Sequence, residues 1–405
     1  MQKIFIEKPY RFVQPLMWDW LAKLMNNRLV HIPLLRFSES IVSVESRGVE
    51  RLKNSIDAGH AIMLIPNHPR TSDPVVLYDV MRRVGKPMFA MASWHLFNHG
   101  WHNRAIIRLY GGYSVNREGL DKSSVSFSVK ALQDNVRPLL MFPEGATSRT
   151  NDTLMPFLDG PTFIARTAAR RRSKLGLKTV IHPIAIRYMF DGDFKTELNR
   201  LLDPVDEMFG GESTRNLDAV PRVRLALSKL VARKAAMFDV ELNPELGAFE
   251  QRQAVLQSVM NAAEMRCFGA SSSESISDRI RNVRTSAFPE ILNNKDLSEA
   301  DRQIRWLDLE RTYLAWQMAS YPEGYLDGNP SIERILDIAA KVNEDLTDVP
   351  RRSGRQRVVV EVCDPIEVPA SKHRGDKADP LVAQIEEQLK ERLEKLENEL
   401  CPARK

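Results

Sequence analysis

The sequence contains little cysteine and no long apolar run. Its three cysteines, Cys267, Cys363 and Cys401, are scattered among 405 residues without a CxxC pair. Such a set excludes a disulfide scaffold and a cysteine-based zinc site, and it is typical of a reducing compartment. No apolar run approaches the roughly 18 residues that a membrane-spanning helix needs. Because charges and a proline also interrupt the opening segment MQKIFIEKPYRF before a signal-like stretch forms, we expect a cytoplasmic protein.

Charge is divided unevenly along the chain. Residues 1–190 contain 27 Lys and Arg against 14 Asp and Glu, a net charge of +13, whereas the remainder contains 31 against 39, a net charge of −8. A basic half suits nucleic acid, a phosphorylated substrate or acidic lipid headgroups, although a basic solvated surface gives the same count. Because no zinc finger, aromatic RNA-binding signature or basic zipper accompanies the charge, we expect no nucleic acid partner.

The pattern of apolar residues divides the chain into four regions. Short strand-like runs alternate with helical stretches over residues 41–191, which predicts an α/β core with a mostly parallel sheet covered by helices. Long helical stretches over residues 192–355 predict a large, mostly helical insertion. Residues 356–405 return to a strand-type run and end in a helix, and these elements would close the core.

Residues 1–40 are predicted to form an N-terminal helical segment. Within it, residues 11–27 place large apolar side chains, including two tryptophans, at helical spacing. An amphipathic helix of this kind either packs on the core or lies on a membrane surface, and both interpretations stay open at this point.

A histidine and an aspartate follow the buried run AIMLIP in the segment NHPRTSD, residues 67–73. Catalytic side chains are commonly held beyond the carboxyl ends of such strands. With Asp73 five positions after His68 and a helix start between them, the carboxylate can fold back onto one imidazole nitrogen. The other nitrogen can then take a proton from a hydroxyl. Asp73 can also serve as a helix N-cap.

Three further segments place polar groups or a proline in or beside predicted strands. In GGYSVNR, Arg117 follows a strand, and its guanidinium can bind a phosphate with two hydrogen bonds or pair with an acid such as Glu144. VIHPIAI is a buried strand interrupted by Pro183. The segment FPEGATSR follows the run RPLLM and brings donors, acceptors and a permissive glycine to a strand end: Glu144, Gly145, Ser148 and Arg149.

Two weaker patterns carry alternative interpretations. His95, His99 and His102 recur at a spacing that could present imidazoles to a metal, but no carboxylate joins them and Gly100 interrupts the helix, so we expect no metal site. A basic run over residues 166–178 suits CoA phosphates, an acidic carrier protein or anionic lipid, and equally a solvated helix face.

In this order and at these separations, NHPRTSD, GGYSVNR, FPEGATS and VIHPIAI resemble the four motifs of the glycerolipid acyltransferase family. The type member of that family is 1-acylglycerol-3-phosphate acyltransferase. The resemblance covers about residues 41–190, and VVVEVCDPIEV is similar to the closing strand of that domain. It implies a fatty acyl transfer from acyl-CoA or acyl carrier protein to a hydroxyl of a glycerolipid-type acceptor, with 1-acylglycerol 3-phosphate as the first expectation. It implies no cofactor and no metal.

The resemblance also assigns roles to individual residues. His68 corresponds to the family's general base and Asp73 to the carboxylate that orients it. Pro183 falls in a strand linked to acyl-donor binding. The residues that correspond to those holding the acceptor's phosphate and shaping its pocket are Arg117, Glu144 and Gly145, with Ser148 and Arg149 beside them.

The third segment departs from the family's usual pattern, Glu-Gly-Thr-Arg-Ser. Ala146 and Thr147 occupy the positions of the threonine and the arginine, and an arginine returns two positions later as Arg149. A lysine that often follows the motif is replaced by Leu158 or Asp159. Both departures fall on the acceptor-phosphate side of the expected site.

Several acceptors therefore stay open alongside 1-acylglycerol 3-phosphate: glycerol 3-phosphate, a lysophospholipid or an amino-acid lipid. A catalytically silent lipid-binding module is the alternative from another class, and the intact pair of His68 and Asp73 favours an enzyme. Because a lipid acceptor has to be reached from the surface, we expect peripheral attachment to an anionic membrane, at the inner face of the cell membrane.

Overall fold

The computed structural model describes residues 5–25, 27–119, 121–211, 213–349, 351, 354–371 and 379–400, so Cys401 lies outside the described residues. Contacts divide the chain into two compact units. An α/β unit comprises residues 11–116, 121–192 and 353–405, and a helical unit comprises residues 1–10, 117–120 and 193–352.

The α/β unit is built on one sheet, which has eight strands within the described residues. In chain order these are β1 (Ile41–Arg47), β2 (Ala61–Pro66), β3 (Phe89–Ser93), β4 (Gly112–Val115), β5 (Leu139–Leu140), β6 (Thr179–Phe190), β7 (Gln356–Val362) and β8 (Ile366–Glu367). The order is β1-β7-β6-β2-β5-β3-β4, with β8 beside β6. Strands β6, β2, β5, β3 and β4 run parallel, while β7 is antiparallel to β6 and parallel to β1. The predicted α/β class with a mostly parallel sheet is confirmed.

Helices follow most of the strands. Those of the α/β unit are α1 (Asp19–Met25), α2 (Arg28–Pro33), α3 (Val49–Asp57), α4 (Asp73–Val84), α5 (Trp101–Leu109), α6 (Lys122–Gln133), α7 (Gly160–Ser173) and α14 (Pro380–Leu400). The helical unit holds α8 (Phe194–Met208), α9 (Ala219–Met237), α10 (Ala248–Phe268), α11 (Ile276–Asn293), α12 (Glu299–Ala319) and α13 (Ile332–Thr347). The predicted helical insertion is thus present between β6 and β7.

The sheet is buried on both faces, which explains why its central strands read as continuous apolar runs. All residues of β6 are buried, and alternate side chains enter two cores. Ile184 and Tyr188 pack with side chains of α3 and α4 on one face. Ile181 and Ala185 pack with α6, α7 and α14 on the other face. A residue on β6 therefore reaches α4 only if it lies on the same face as Tyr188.

Pro183 lies inside β6, although a proline cannot donate to a sheet ladder and is uncommon in central strands. On one side of β6, pairing with β7 ends at Ile184 and pairing with β8 begins at Ile181. Pro183 falls in the gap, where its carbonyl accepts a hydrogen bond from the backbone N–H of Cys363 at 2.9 Å. The change of partner strand therefore removes the need for a backbone donor at this position.

The N-terminal region differs from its prediction. The helix predicted over residues 11–27 is wrong in its first half, because α1 begins only at Asp19. Val13 instead donates its backbone N–H to the Ser114 hydroxyl at 2.8 Å and accepts the Ser114 backbone N–H at 3.0 Å. These bonds to β4 replace intrahelical bonds, and Pro15 has no N–H to contribute to a helix.

The helical unit recruits two short stretches from elsewhere in the chain. Residues 5–10 belong to it, and Phe5 packs against Phe288 and Trp306 with ring centroids 5.6 and 6.4 Å apart. The described residues of the stretch 117–120, which directly follows β4 and Asn116, group with it as well. Sequence periodicity alone gave no indication of either assignment, because both stretches are too short to show a pattern.

The C-terminal helix α14 should contribute strongly to stability. Leu389 is fully buried in the core beneath α6 and α7. Truncation of such a side chain removes its burial and leaves a cavity, so Leu389→Ala should lower the free energy of unfolding by about 2–5 kcal/mol. Lys390→Ala, at the exposed neighbouring position, should change it by less than about 0.5 kcal/mol. Urea unfolding followed by circular dichroism measures both, and equal midpoints would contradict the assigned packing of α14.

Candidate active site

His68 and Asp73 form a hydrogen-bonded pair where β2 ends. His68 Nδ1 lies 2.7 Å from Asp73 Oδ2. Because β2 ends at Pro66 and α4 begins at Asp73, the intervening loop turns the imidazole back toward the start of the helix. An ionised carboxylate only accepts hydrogen bonds, so Nδ1 carries the proton and Nε2 is the nitrogen that can accept another. The His68 side chain is 14% exposed, whereas the Asp73 side chain is fully buried.

The buried Asp73 carboxylate accepts three hydrogen bonds from described residues. Besides the imidazole, Oδ2 accepts the backbone N–H of Arg70 at 3.0 Å, and Oδ1 accepts the hydroxyl of Tyr188 at 2.6 Å. Burial of a carboxylate is costly unless it is paired and hydrogen-bonded in this way. The cap position of α4 belongs to Ser72 rather than to Asp73, which lies in the first turn and benefits there from the helix dipole.

The imidazole plane of His68 is fixed by an aromatic neighbour from the third segment. The rings of His68 and Phe142 are stacked, with centroids 3.7 Å apart and an interplanar angle of 19°. Phe142 follows β5, the strand that pairs with β2 in the sheet. The parallel pairing therefore brings the polar ends of the first and third segments together, as the sequence pattern indicates.

Glu144 and Ser148 hold the backbone of His68 from both sides. Glu144 Oε1 accepts the backbone N–H of His68 at 2.7 Å, and the Ser148 backbone N–H donates to the His68 carbonyl at 2.9 Å. Glu144 Oε2 accepts the backbone N–H of Met155 at 2.9 Å. Burial raises the pKa of Glu144 to about 8, against the lowering effect of these two backbone donors. In this geometry the Glu144 carboxyl positions the loop of His68.

Gly145 suits its position because its φ of +71° lies in the left-handed region, which side chains rarely adopt. The backbone N–H of Leu158 donates to the Pro143 carbonyl at 2.8 Å and closes the segment that follows this turn. Arg149 also has a positive φ, +60°, which carries the chain out of the turn after Ser148.

Asn67 is a structural residue of the site that the sequence reasoning missed. Its side-chain amide donates to the Ile186 carbonyl at 3.0 Å and accepts the Ile186 backbone N–H at 2.7 Å. Asn151 accepts the backbone N–H of Tyr188 at 2.9 Å in the same manner. These two side chains continue the ladder of β6 beyond the end of β2. The sequence signal for this role was a single one: a polar residue, Asn67, stands directly after the apolar run AIMLIP.

Arg117 belongs to a cluster of charged groups within the helical unit. Its main electrostatic partner is Glu118, which also interacts with Arg284. Burial lowers the pKa of Arg117 and raises the pKa of Glu118, and it lowers the pKa of Arg284 to about 10. Arg284 donates to the Thr312 hydroxyl at 2.9 Å. The acid beside Arg117 is therefore Glu118.

Much of the basic run over residues 166–178 is used inside the α/β unit. Arg166 pairs with Asp379 at 2.5 Å. Arg172 is buried and donates to three backbone carbonyls, at distances of 2.9 to 3.0 Å. Lys178 pairs with Glu367 at 2.7 Å. These contacts favour a structural role for the run over the binding of CoA phosphates.

Of the histidines in the segment WHLFNHGWH, His95 lies on a short 3₁₀ turn, His99 directly after that turn and His102 at the start of α5. His95 Nδ1 lies 2.8 Å from the Ser93 hydroxyl, and the rings of His95 and His99 are 5.7 Å apart. The His102 ring lies against the indole of Trp101. Within the part of the chain that the structure describes, no group of three His, Cys, Asp or Glu side chains is arranged to hold a metal ion.

The predicted site residues thus fall into three places. Pro183 lies within β6 beside β2, and Arg117 groups with the helical unit. The others lie in the loops after β2 and β5 or, for Asp73, in the first turn of α4: His68, Asp73, Glu144, Gly145, Ser148 and Arg149.

A comparison with known families gives a match that lies almost entirely within the α/β unit. Residues 43–187 match the model of a family described as Acyltransferase. The match begins within β1, ends within β6 and includes the four segments singled out above. A comparison with curated proteins gives no match for the chain. The match, together with the mostly parallel sheet, shows that the chain carries an acyltransferase domain over residues 43–187.

Proposed function

We propose that the protein moves a fatty acyl group from an acyl thioester, acyl-CoA or acyl carrier protein, to a hydroxyl of a glycerolipid-type acceptor. The first candidate acceptor is 1-acylglycerol 3-phosphate. The observation that supports this most is the 2.7 Å contact between His68 and Asp73 at the end of β2, inside the acyltransferase domain. A histidine whose Nδ1 is held by a buried carboxylate is arranged to use Nε2 as a general base.

In the proposed reaction, His68 Nε2 takes the proton of the acceptor hydroxyl while the hydroxyl oxygen attacks the thioester carbonyl. A C–O bond forms, and the tetrahedral intermediate collapses as the C–S bond breaks. The proton on Nε2 then passes to the leaving thiolate, which gives an ester and a free thiol. Asp73 directs the imidazole through Nδ1–H and stabilises the imidazolium that forms, and Phe142 holds the ring plane.

The phosphate of the acceptor is assigned to Arg117 in this proposal. Arg117 and Arg284 both interact with Glu118, so the three groups together carry one net positive charge when all are ionised. A guanidinium in such surroundings suits a phosphate, which it can bind with two parallel hydrogen bonds. Glycerol 3-phosphate and a lysophospholipid also carry a phosphate, whereas an acceptor without a phosphate would leave this guanidinium without its proposed ligand.

A lipid acceptor requires contact with a membrane surface. No helix among the described residues is long and apolar enough to span a membrane. Large apolar side chains are nevertheless exposed in the N-terminal part of the α/β unit and on α5: Met17, Trp18, Trp20, Leu24, Phe37, Trp101 and Ile106. Exposed basic residues, among them Arg36 and Arg104, occur in the same segments. We assign peripheral binding to an anionic surface to these segments, because tryptophan and basic side chains suit such an interface.

His68→Ala should lower kcat by at least about 10²–10⁴-fold, because it removes the general base. Asp73→Asn should also lower kcat, because it favours the wrong imidazole tautomer. The measurement is thiol release from acyl-CoA with 1-acylglycerol 3-phosphate as acceptor. His99→Ala, an exposed histidine of the same unit, is the control and should keep full activity. A folded His68→Ala protein with nearly normal kcat would exclude the mechanism. If the wild-type protein instead binds acyl-CoA but releases no thiol, the silent lipid-binding module is favoured.

Arg117→Ala should raise KM for 1-acylglycerol 3-phosphate about tenfold to a hundredfold, since charge-assisted hydrogen bonds contribute roughly 1.5–3 kcal/mol. The KM for the acyl donor should change little. Arg117→Lys should restore part of the affinity, because an ammonium keeps the charge but loses the planar fork. If Arg117 only holds Glu118 in place, Tm falls and both KM values rise together. An unchanged acceptor KM would reject the phosphate-binding role.

The protein should bind phosphatidylglycerol-containing vesicles more tightly than pure phosphatidylcholine vesicles, and added salt should weaken this binding, because exposed charges are screened beyond about 8–10 Å at physiological ionic strength. Trp20→Ala and Trp101→Ala should each weaken vesicle sedimentation by about tenfold, the loss expected for one large apolar contact. Met237→Ala removes an exposed apolar side chain of the helical unit and should have no effect. Binding that is insensitive to salt, or equal loss in all three variants, would contradict the assigned surface.

A further inference from the structure

Tyr188 completes the hydrogen-bond network of the His68–Asp73 pair from a third element. Its side chain is fully buried on β6, and its hydroxyl donates to Asp73 Oδ1 at 2.6 Å. The same hydroxyl lies 3.1 Å from the hydroxyl of Ser72. One carboxylate oxygen of Asp73 therefore meets the imidazole, and the other meets the phenol.

The position of the Tyr188 ring is closely determined by its surroundings. On one side its backbone pairs with Val358 of β7, and on the other its backbone N–H donates to the Asn151 side chain. Two residues earlier, Ile186 is held by the amide of Asn67. The Arg70 guanidinium lies over the ring, 5.5 Å from its centroid. A phenol fixed in this way can hold a carboxylate oxygen without losing much side-chain entropy on doing so.

Four groups that are charged or can ionise surround the imidazole of His68 in the described structure. The carboxylate of Asp73 contacts Nδ1, and Tyr188 contacts that carboxylate in turn. Arg70 donates its backbone N–H to the same carboxylate and places its guanidinium over Tyr188. Glu144 accepts the backbone N–H of His68. The Tyr188 hydroxyl thus donates a side-chain proton to Asp73 Oδ1, as the imidazole does to Oδ2.

We propose that Tyr188 is a positioning residue of the acyl transfer: it holds Asp73 Oδ1 so that Oδ2 faces His68 Nδ1, and it sets the basicity of the imidazole. This proposal rests on the proposed function only in naming His68 as the base. The phenol draws negative charge from the carboxylate and so weakens the carboxylate's stabilisation of the imidazolium. Without the phenol, the carboxylate is less restrained in orientation and holds the imidazolium more strongly.

Tyr188→Phe removes the hydroxyl and keeps the ring. We expect it to raise the pKa of His68 by up to about one unit. The free energy of a hydrogen bond to a charged group is large enough to shift a pKa by about that amount. The acidic limb of the pH profile of kcat/KM should move to higher pH by the same amount, and kcat should fall about tenfold.

The primary measurement is an NMR titration of the His68 imidazole, identified by the signal that disappears in His68→Gln. This titration needs no substrate, so it tests the role of Tyr188 even if the proposed acyl transfer is wrong. The matched control is Tyr321→Phe, because Tyr321 is a buried tyrosine of the helical unit whose hydroxyl donates to buried Asp345 at 2.7 Å. It should lower Tm without moving the His68 titration.

Ser72→Ala serves as a second variant should Tyr188→Phe not fold. The Ser72 hydroxyl polarises the phenol of Tyr188 and so strengthens it as a donor to Asp73. Because Ser72→Ala removes only this polarisation, it should raise the pKa of His68 by a smaller amount. An upward shift in Tyr188→Phe or Ser72→Ala, absent in Tyr321→Phe, supports the positioning role. An unchanged His68 titration in the folded variants, or an equal shift in the control, would overturn it.

Discussion

The hydrogen bonds to the buried carboxylate of Asp73 set the arrangement of the whole candidate site. A carboxylate with no exposed surface is tolerated only where donors surround it, and here the donors come from the loop after β2 and from β6. Asp73 itself opens α4, whose side chains pack on the same face of the sheet as Tyr188. Any shift of α4 against the sheet would break at least one of these bonds. The network therefore couples the packing of the core to the position of the imidazole.

The loop of His68 is held by a second set of contacts, and these act on its backbone. Glu144 accepts a hydrogen bond from the backbone N–H of His68, and the backbone N–H of Ser148 donates to the His68 carbonyl. The third segment therefore fixes the peptide groups on both sides of His68. This arrangement survives the loss of the arginine from the family's usual pattern, because Ala146 and Thr147 lie between the two residues that make the contacts. The departure thus spares the contacts that hold the loop of His68.

Elements and contacts of the site could be predicted from the sequence where they depend on residues close together in the chain. The strand-like runs, the helix beginning at Asp73 and the pairing of His68 with Asp73 lie within short stretches whose period or spacing can be read directly. The predicted helix over residues 11–18 is wrong, because hydrogen bonds between Val13 and Ser114 hold this stretch against β4 despite its helical spacing of apolar residues. Arg117 and Glu118 are neighbours in sequence, but their electrostatic interaction with Arg284 joins residues about 170 positions apart, which no local pattern shows.

The roles of Asn67 and Tyr188 could not be predicted from the sequence, because they too depend on distant parts of the chain. Each looks ordinary in its own segment, a polar residue after a strand and an aromatic residue within one. They gain a role because β6 extends beyond β2, which leaves the edge of β6 on that side without a strand partner next to the loop of His68. Asn67 satisfies the backbone of that extension, and the side chain of Tyr188 reaches Asp73 on the face that packs against α4. The length of β6 relative to β2 is therefore the feature that joins the fourth segment to the first, and the chemistry of the site follows from a difference in strand length.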